Sequence, residues 1–108
     1  MTRFFKVNDG KLETLRAWCS LLMSDLKNEA EASLREENVL RERLLLFLDG
    51  DNQYYVRGEM EVAGEVLPAS KERAINLVHR LVMHSCVEPA EPKEGLTELA
   101  TLYDVRAV

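Results

Sequence analysis

Long hydrophobic runs are missing from this 108-residue chain. The longest purely apolar stretch, Leu44 to Leu48, falls far short of the roughly 20 residues a helix needs to cross a bilayer, so no membrane partner is expected. Cysteine is scarce. Cys19 and Cys86 each sit among apolar neighbours in a helical pattern, which reads as two small buried thiols rather than a disulfide framework. Proline and glycine are few, three and five, with no repeat and no low-complexity tract, which excludes fibrous and disordered classes. The opening MTRFFKVNDGK has no apolar core followed by a small-residue cleavage site, so no secretory signal is read and a cytoplasmic location is expected.

Runs of basic residues are lacking too. The formal net charge is −5 and no run of like charge interrupts the chain, a balance that repels a phosphate backbone, so no nucleic-acid partner is expected. Aromatics on the first and third strands resemble the layout of RNA-recognition domains, but Asn52 to Glu59 lacks their glycine and basic pattern. The turn Asn8-Asp9-Gly10-Lys11 has neither the glycines nor the Lys-Ser/Thr pair of a phosphate loop, and no Gly-x-Ser-x-Gly elbow occurs. His79, His84 and Cys86 are poorly placed as metal ligands, so neither a metal nor a cofactor is expected.

The hydrophobic share of 46% and charged share of 31% suit a globular protein, and the length suits one domain over residues 1–108. Arg3 to Val7 reads as a strand and Asn8-Asp9-Gly10 as a turn. Leu15, Trp18, Leu22, Leu26, Ala30 and Leu34 recur every three or four residues, predicting one long helix from Lys11 to Glu37. Leu40 to Asp49 and Gln53 to Val62 form a hairpin around Gly50-Asp51-Asn52. Ser70 caps a second helix, Lys71 to Val87, whose buried face is expected to hold Ala74, Leu77, Val78, Leu81, Val82 and Ser85. The prolines of Glu88 to Gly95 space it from a last strand, Leu99 to Val108. Strand–helix–strand–strand–helix–strand is the split βαβ order. The predicted fold is therefore α+β, a ferredoxin-like βαββαβ domain with a four-stranded antiparallel sheet in the order 4-1-3-2 and two helices on one face.

Charge sets the hairpin register. Pairing Asp49 with Gln53 places Arg43 opposite Glu59 and Arg41 opposite Glu61, whereas a slip by one sets Glu42 against Glu59. The chosen register puts Leu44, Leu46, Leu48, Tyr54, Val56 and Met60 under the helices. The uncovered face then carries Arg43, Leu45, Phe47, Tyr55, Arg57 and Glu59, with Phe4 and Lys6 beside them. A mixed apolar patch on an uncovered sheet face suits a second copy of the chain, or a pocket roofed by one.

Glu42 is the anomalous residue. It shares its strand face with leucines, where a carboxylate is costly unless paired or protonated, and where general acid–base groups are made; alternatively the second strand is an edge and water reaches it. His79, on the margin of the second helix's apolar face, is either a proton-transfer group or a half-buried histidine with one partner. Topology places the two apart, under different helices. Tyr55, Arg57 and Glu59 project together and can orient a small molecule with Glu59 as base, or simply pair with Arg43 across the strands.

Phe5-Lys6-Val7 before Gly10-Lys11, the helix with Trp18 and Leu34, Glu36-Glu37-Asn38-Val39, Glu42, Phe47, Tyr54-Tyr55 and the stretch Ile75 to Cys86 with His79 together resemble a family of small bacterial proteins, domain of unknown function 6176. The resemblance implies a ferredoxin-like fold of the dimeric α/β-barrel type, packing sheet face to sheet face. Some proteins of that wider group are cofactor-independent oxygenases or isomerases. Two functions are thus expected: a homodimer binding a small organic molecule, with proton transfer beside a carbonyl as its chemistry, or a non-catalytic dimerisation module. The candidate catalytic residues are Glu42, Glu59 and His79, and the candidate ligand contacts Tyr55, Arg57 and Arg43.

Overall fold

A computed structural model describes residues 1–107. Eight elements follow in chain order: β1 (Thr2–Val7), α1 (Leu12–Leu22), α2 (Lys27–Glu36), β2 (Val39–Leu48), β3 (Tyr54–Val62), α3 (Ala74–Cys86), β4 (Val87–Pro89) and β5 (Thr97–Arg106). The architecture is α+β, three helices against a five-stranded antiparallel sheet ordered β4-β1-β3-β2-β5. The expected four-stranded order 4-1-3-2 is corrected in one respect. The strand beside β1 is the short Val87–Pro89, and the long C-terminal strand lies at the opposite edge against β2. The reason is edge occupancy. Once Val87–Pro89 has paired with Phe5–Val7, the terminal strand finds its partner groups on β2. Its expected last residue, Val108, lies outside the described residues.

The hairpin register follows the charges. Arg43 is opposite Glu59, Arg41 opposite Glu61, and the Asp49 backbone N–H donates to the Gln53 carbonyl at 3.0 Å. Asn52 takes the left-handed conformation that closes the three-residue loop, at φ 61°. On one face of β2 and β3, Leu44, Leu46 and Val56 are wholly buried and join Leu15, Trp18, Leu22 and Leu34 in one core.

The expected single helix from Lys11 to Glu37 is two helices with a bend at residues 23–26. The Leu26 N–H reaches back five residues to the Leu21 carbonyl at 2.9 Å, and the Ser24 hydroxyl donates to the Ser20 carbonyl at 2.7 Å, so the regular ladder is broken by local bonds. The bend leaves the apolar stripe in register on both sides: Leu15, Trp18, Leu22, Ala30 and Leu34 are buried, and Leu26 packs against them. Helix α3 begins at Ala74, later than expected, and is rotated. Ile75 and Cys86 are buried with Val82 and Met83 packed behind, while Leu77, Val78 and Leu81 are 47%, 41% and 69% exposed. The Ile75-His79-Val82-Cys86 stripe has helical spacing as good as that of its exposed neighbour, so periodicity alone points to two faces. The stripe containing His79 is the one that packs.

A candidate active-site cavity between sheet and helices

The pleat of β2 sends Glu42 and Leu44 to the helix side, opposite Val105 and Tyr103 of β5 and Met60 and Gly58 of β3. Strand β2 is therefore not an edge. Glu42 stands between two strands and beneath the helices rather than at a solvated margin. His79 descends from α3 and Arg3 from β1 toward the same place. Two adjoining cavities, of about 310 and 200 Å³, share Arg3, Glu42, His79 and Tyr103 in their walls. Glu42 and His79, expected apart, are brought together because β5 lies against β2 and carries Tyr103, which the His79 ring of α3 meets edge-on.

Burial, and after it the nearby Glu37 carboxylate, push the Glu42 pKa up to about 7, against the pull of the Arg3 guanidinium. No hydrogen bond among the described residues holds the Glu42 carboxyl. The Trp18 indole N–H donates to His79 Nδ1 at 2.8 Å. An acceptor nitrogen carries no proton, so the neutral ring bears its proton on Nε2. Burial lowers the His79 pKa and keeps the ring neutral. The ring is wedged between Trp18 and Tyr103, with centroids 6.1 and 6.2 Å away.

Tyr103 is 3% exposed, and its hydroxyl makes no hydrogen bond among the described residues. Burial, and then the Glu42 carboxylate, raise its pKa well above the ordinary value. No fully enclosed side-chain nitrogen or oxygen among the described residues lacks a partner. The Tyr103 hydroxyl and His79 Nε2 therefore have access to open space, and the open space that both residues line is the cavity.

The surrounding elements are fastened in place. The Ser33 hydroxyl lies 2.7 Å from Glu37 Oε2 and 2.9 Å from Asn76 Oδ1, joining the end of α2 to the start of α3. Asn76 donates onward to the Ser70 carbonyl at 3.0 Å. Arg73 clamps α2 with two bonds to Glu36, at 2.8 and 2.7 Å, and one to Glu29 at 3.0 Å. These tie the loop that forms one rim of the larger cavity.

The other candidates lie across the sheet. Glu59 accepts from Arg43, and from Arg57 Nε at 3.0 Å. Burial alone would raise its pKa, but the hydrogen bond and charge of Arg43, aided by Arg57, hold it below the usual value. The Arg57 guanidinium lies over the Phe47 ring at 4.9 Å, and Phe4 stacks on Tyr55 at 5.4 Å. Leu45 and Phe47, on the face expected to be uncovered, are 4% and 7% exposed. Arg43, Tyr55, Arg57 and Glu59 thus form a paired lattice, and none lines the Glu42 cavity. Sequence reasoning missed Arg3, Tyr103 and Gly58. Gly58 alone carried a signal, since a glycine inside a strand often marks close approach or reserved space.

A family model for a family of unknown function, DUF6176, matches residues 1–107. The chain belongs to DUF6176. No curated protein and no solved structure matches this DUF6176 chain. No helix among its described residues is long and apolar enough to cross a membrane.

Proposed function

We propose that this DUF6176 protein binds a small carbonyl compound in the cavity between sheet and helices and transfers a proton at the carbon beside the carbonyl. A single observation carries the reading: a carboxyl with no hydrogen bond, an unpartnered phenol and a neutral imidazole N–H line one cavity. Ionised Glu42 takes the proton from carbon. As the C–H bond breaks, its electron pair moves into the new carbon–carbon double bond and the charge collects on the carbonyl oxygen. The Tyr103 O–H and His79 Nε2–H are the neutral donors for that oxygen. Protonated Glu42 then returns the proton, to the same carbon or to another. A carboxyl of pKa about 7 is a far better acceptor than an ordinary glutamate and is divided between its acid and base forms at neutral pH. The wall of the cavity comes from one chain, so the reading does not require the second copy expected on the other sheet face.

The test is hydrogen–deuterium exchange into a panel of enolisable ketones and oxo acids in D2O, followed by proton NMR. Wild-type protein accelerates exchange at the carbon beside the carbonyl, with a rate that rises as pH passes through about 7. Glu42→Gln lowers that rate by about 10²–10⁴-fold, the usual contribution of a positioned base. A panel on which wild type and Glu42→Gln exchange equally overturns the reading.

A further inference from the structure

Resting on that reading, we infer that the ligand is an amphipathic carboxylate: an oxo acid whose anionic head meets Arg3, Lys71 and Arg80 and whose apolar group fills the space beside Gly58. The two lobes of the cavity differ in kind. The larger has three exposed cations, Arg3, Lys71 and Arg80, in its wall, and none of them has an ion-pair partner among the described residues. Elsewhere Arg41, Arg43, Arg57, Arg73 and Lys93 are each bound to a carboxylate. Two acids share the larger lobe with them, Glu37 and Glu42. Three cations against at most two anions leave a positive balance, in a chain whose own net charge is −5. Glu37 is also already engaged by the Ser33 hydroxyl. Convergence of unpaired cations on one cleft of an acidic protein concentrates anions there.

Beyond the residues shared with the larger lobe, the smaller lobe is lined mainly by apolar side chains, Phe5, Leu44, Met60 and Met83, with Gly58 in its wall. A Cβ built on Gly58 would meet only the Leu44 Cδ1 atom, at 3.9 Å, which is ordinary contact. Packing therefore does not demand a glycine, and its backbone is not in the left-handed region. What the missing side chain leaves is room. A cavity of about 150 Å³ holds a benzene molecule. At about 200 Å³ this lobe admits a phenyl ring or a branched alkyl group of similar size, and flexible methionines adapt to either. Glu42, His79 and Tyr103 belong to both lobes, as does Arg3, so the anionic head lies on the larger-lobe side of Arg3, toward Lys71 and Arg80. A molecule spanning the two therefore lays its middle, where an oxo acid carries its carbonyl, against the proton-transfer groups.

Three probes separate the parts: 3-phenylpropionate, propionate and 3-phenylpropanamide, titrated into ¹⁵N-labelled protein. The Trp18 indole and His79 ring signals report occupancy of the cavity. We expect 3-phenylpropionate to bind at least about tenfold more tightly than either the headless amide or the ringless acid, as a charge-assisted contact or a filled lobe warrants. Gly58→Leu removes the preference for the phenyl group and leaves the preference for the acid over the amide. Lys71→Glu combined with Arg80→Glu does the reverse. Equal affinity for acid and amide on wild-type protein overturns the inference even if a variant fails to fold, as do shifts that bypass Trp18 and His79. Phenylpyruvate separates this inference from the catalytic reading. Probe binding as expected, without exchange at the phenylpyruvate methylene, supports the ligand class and sinks only the proton transfer. Exchange on neutral ketones with no preference for anions sinks the ligand class alone.

Discussion

Glu42 and Glu59 lie on neighbouring strands, one register step apart, yet they belong to different chemical worlds. Glu42 is opposite Met60, and Glu59 is opposite Arg43. The two-residue period of a strand sends one to the helix side and the other to the far side of the same sheet. On the far side Glu59 is bound by two arginines and its pKa is lowered. On the helix side Glu42 has no hydrogen-bond partner among the described residues, and its pKa rises to about 7. Burial without a partner raises one, and pairing with arginines lowers the other. A carboxylate between guanidinium groups is electrostatically satisfied and gains nothing from a proton. One among apolar side chains holds a proton readily and gives it up near neutral pH. Strand alternation thus divides one hairpin into a stabilising face and a face available for chemistry.

The sharpest way to break that contrast is to neutralise each acid without changing its shape. Glu42 has a folded-state pKa of about 7 against an unfolded value near 4.5. Below about pH 4.5 it is protonated in both states and costs nothing. As pH rises toward 7 the unfolded chain ionises first, and stability is lost until both states are ionised. Glu42→Gln should therefore stabilise the protein at pH 8 by about 1–2 kcal/mol, less than the full shift implies because the glutamine amide is itself desolvated there. The gain should disappear at pH 4. Urea unfolding at the two pH values reads it, and a destabilised variant at pH 8 would show that the Glu42 carboxylate is satisfied after all.

Glu59→Gln should do the opposite, and by less. Its folded pKa is lowered, so its contribution is present above the unfolded value and is lost as pH falls below it. The Glu59 side chain is 26% exposed and its partners Arg43 and Arg57 are 36% and 37% exposed, so solvent screens the pairs. A loss of about 0.5–1 kcal/mol at pH 7 is expected, shrinking in high salt. Thermal unfolding at low and high ionic strength checks it. The same sign for both glutamine variants at pH 8 would erase the distinction between the faces.

Much of this contrast can be read from the residues. Cross-strand charge fixes the hairpin register, the register fixes both faces, and a glutamate in a row of leucines marks Glu42. What the residues do not show is what stands around Glu42. Tyr103 comes to it only because β5 lies against β2, and that depends on a three-residue strand, Val87–Pro89, claiming the edge of β1 first. A strand that short, with a proline in it, has no pattern of its own to read. His79 comes to Glu42 because α3 presents one of two equally spaced stripes. The choice is made by what lies below, where the Trp18 indole offers His79 Nδ1 a hydrogen bond that an apolar leucine cannot accept. Local pattern sets the elements. Competition for edges and for polar partners sets their arrangement, and the site is a product of the arrangement.

The smallest expected effect probes whether the two faces are independent. Strands β4 and β5 lie at opposite edges of the sheet, so residues 90–96 must cross from one to the other. Midway, Lys93 Nζ donates to Asp49 Oδ2 at 2.8 Å and lies over the Tyr55 ring at 5.0 Å, which fixes the crossing to the hairpin end of the far face. The Lys93 bond, followed by the Gln53 N–H, holds the Asp49 pKa at about 2, with the Asp51 N–H contributing less. Lys93→Met keeps the aliphatic stem and deletes the charge. The Asp51 and Gln53 amides, which donate to Asp49 Oδ1 at 2.9 Å, should then exchange about two- to tenfold faster by hydrogen-exchange NMR, as local opening of the loop becomes easier. The Trp18 indole and His79 signals should stay where they are, because the buried layer of Leu44, Leu46 and Val56 separates them from the strap. If those signals move as well, the two faces are mechanically coupled, and closing the strap on one side becomes a way to adjust the cavity on the other.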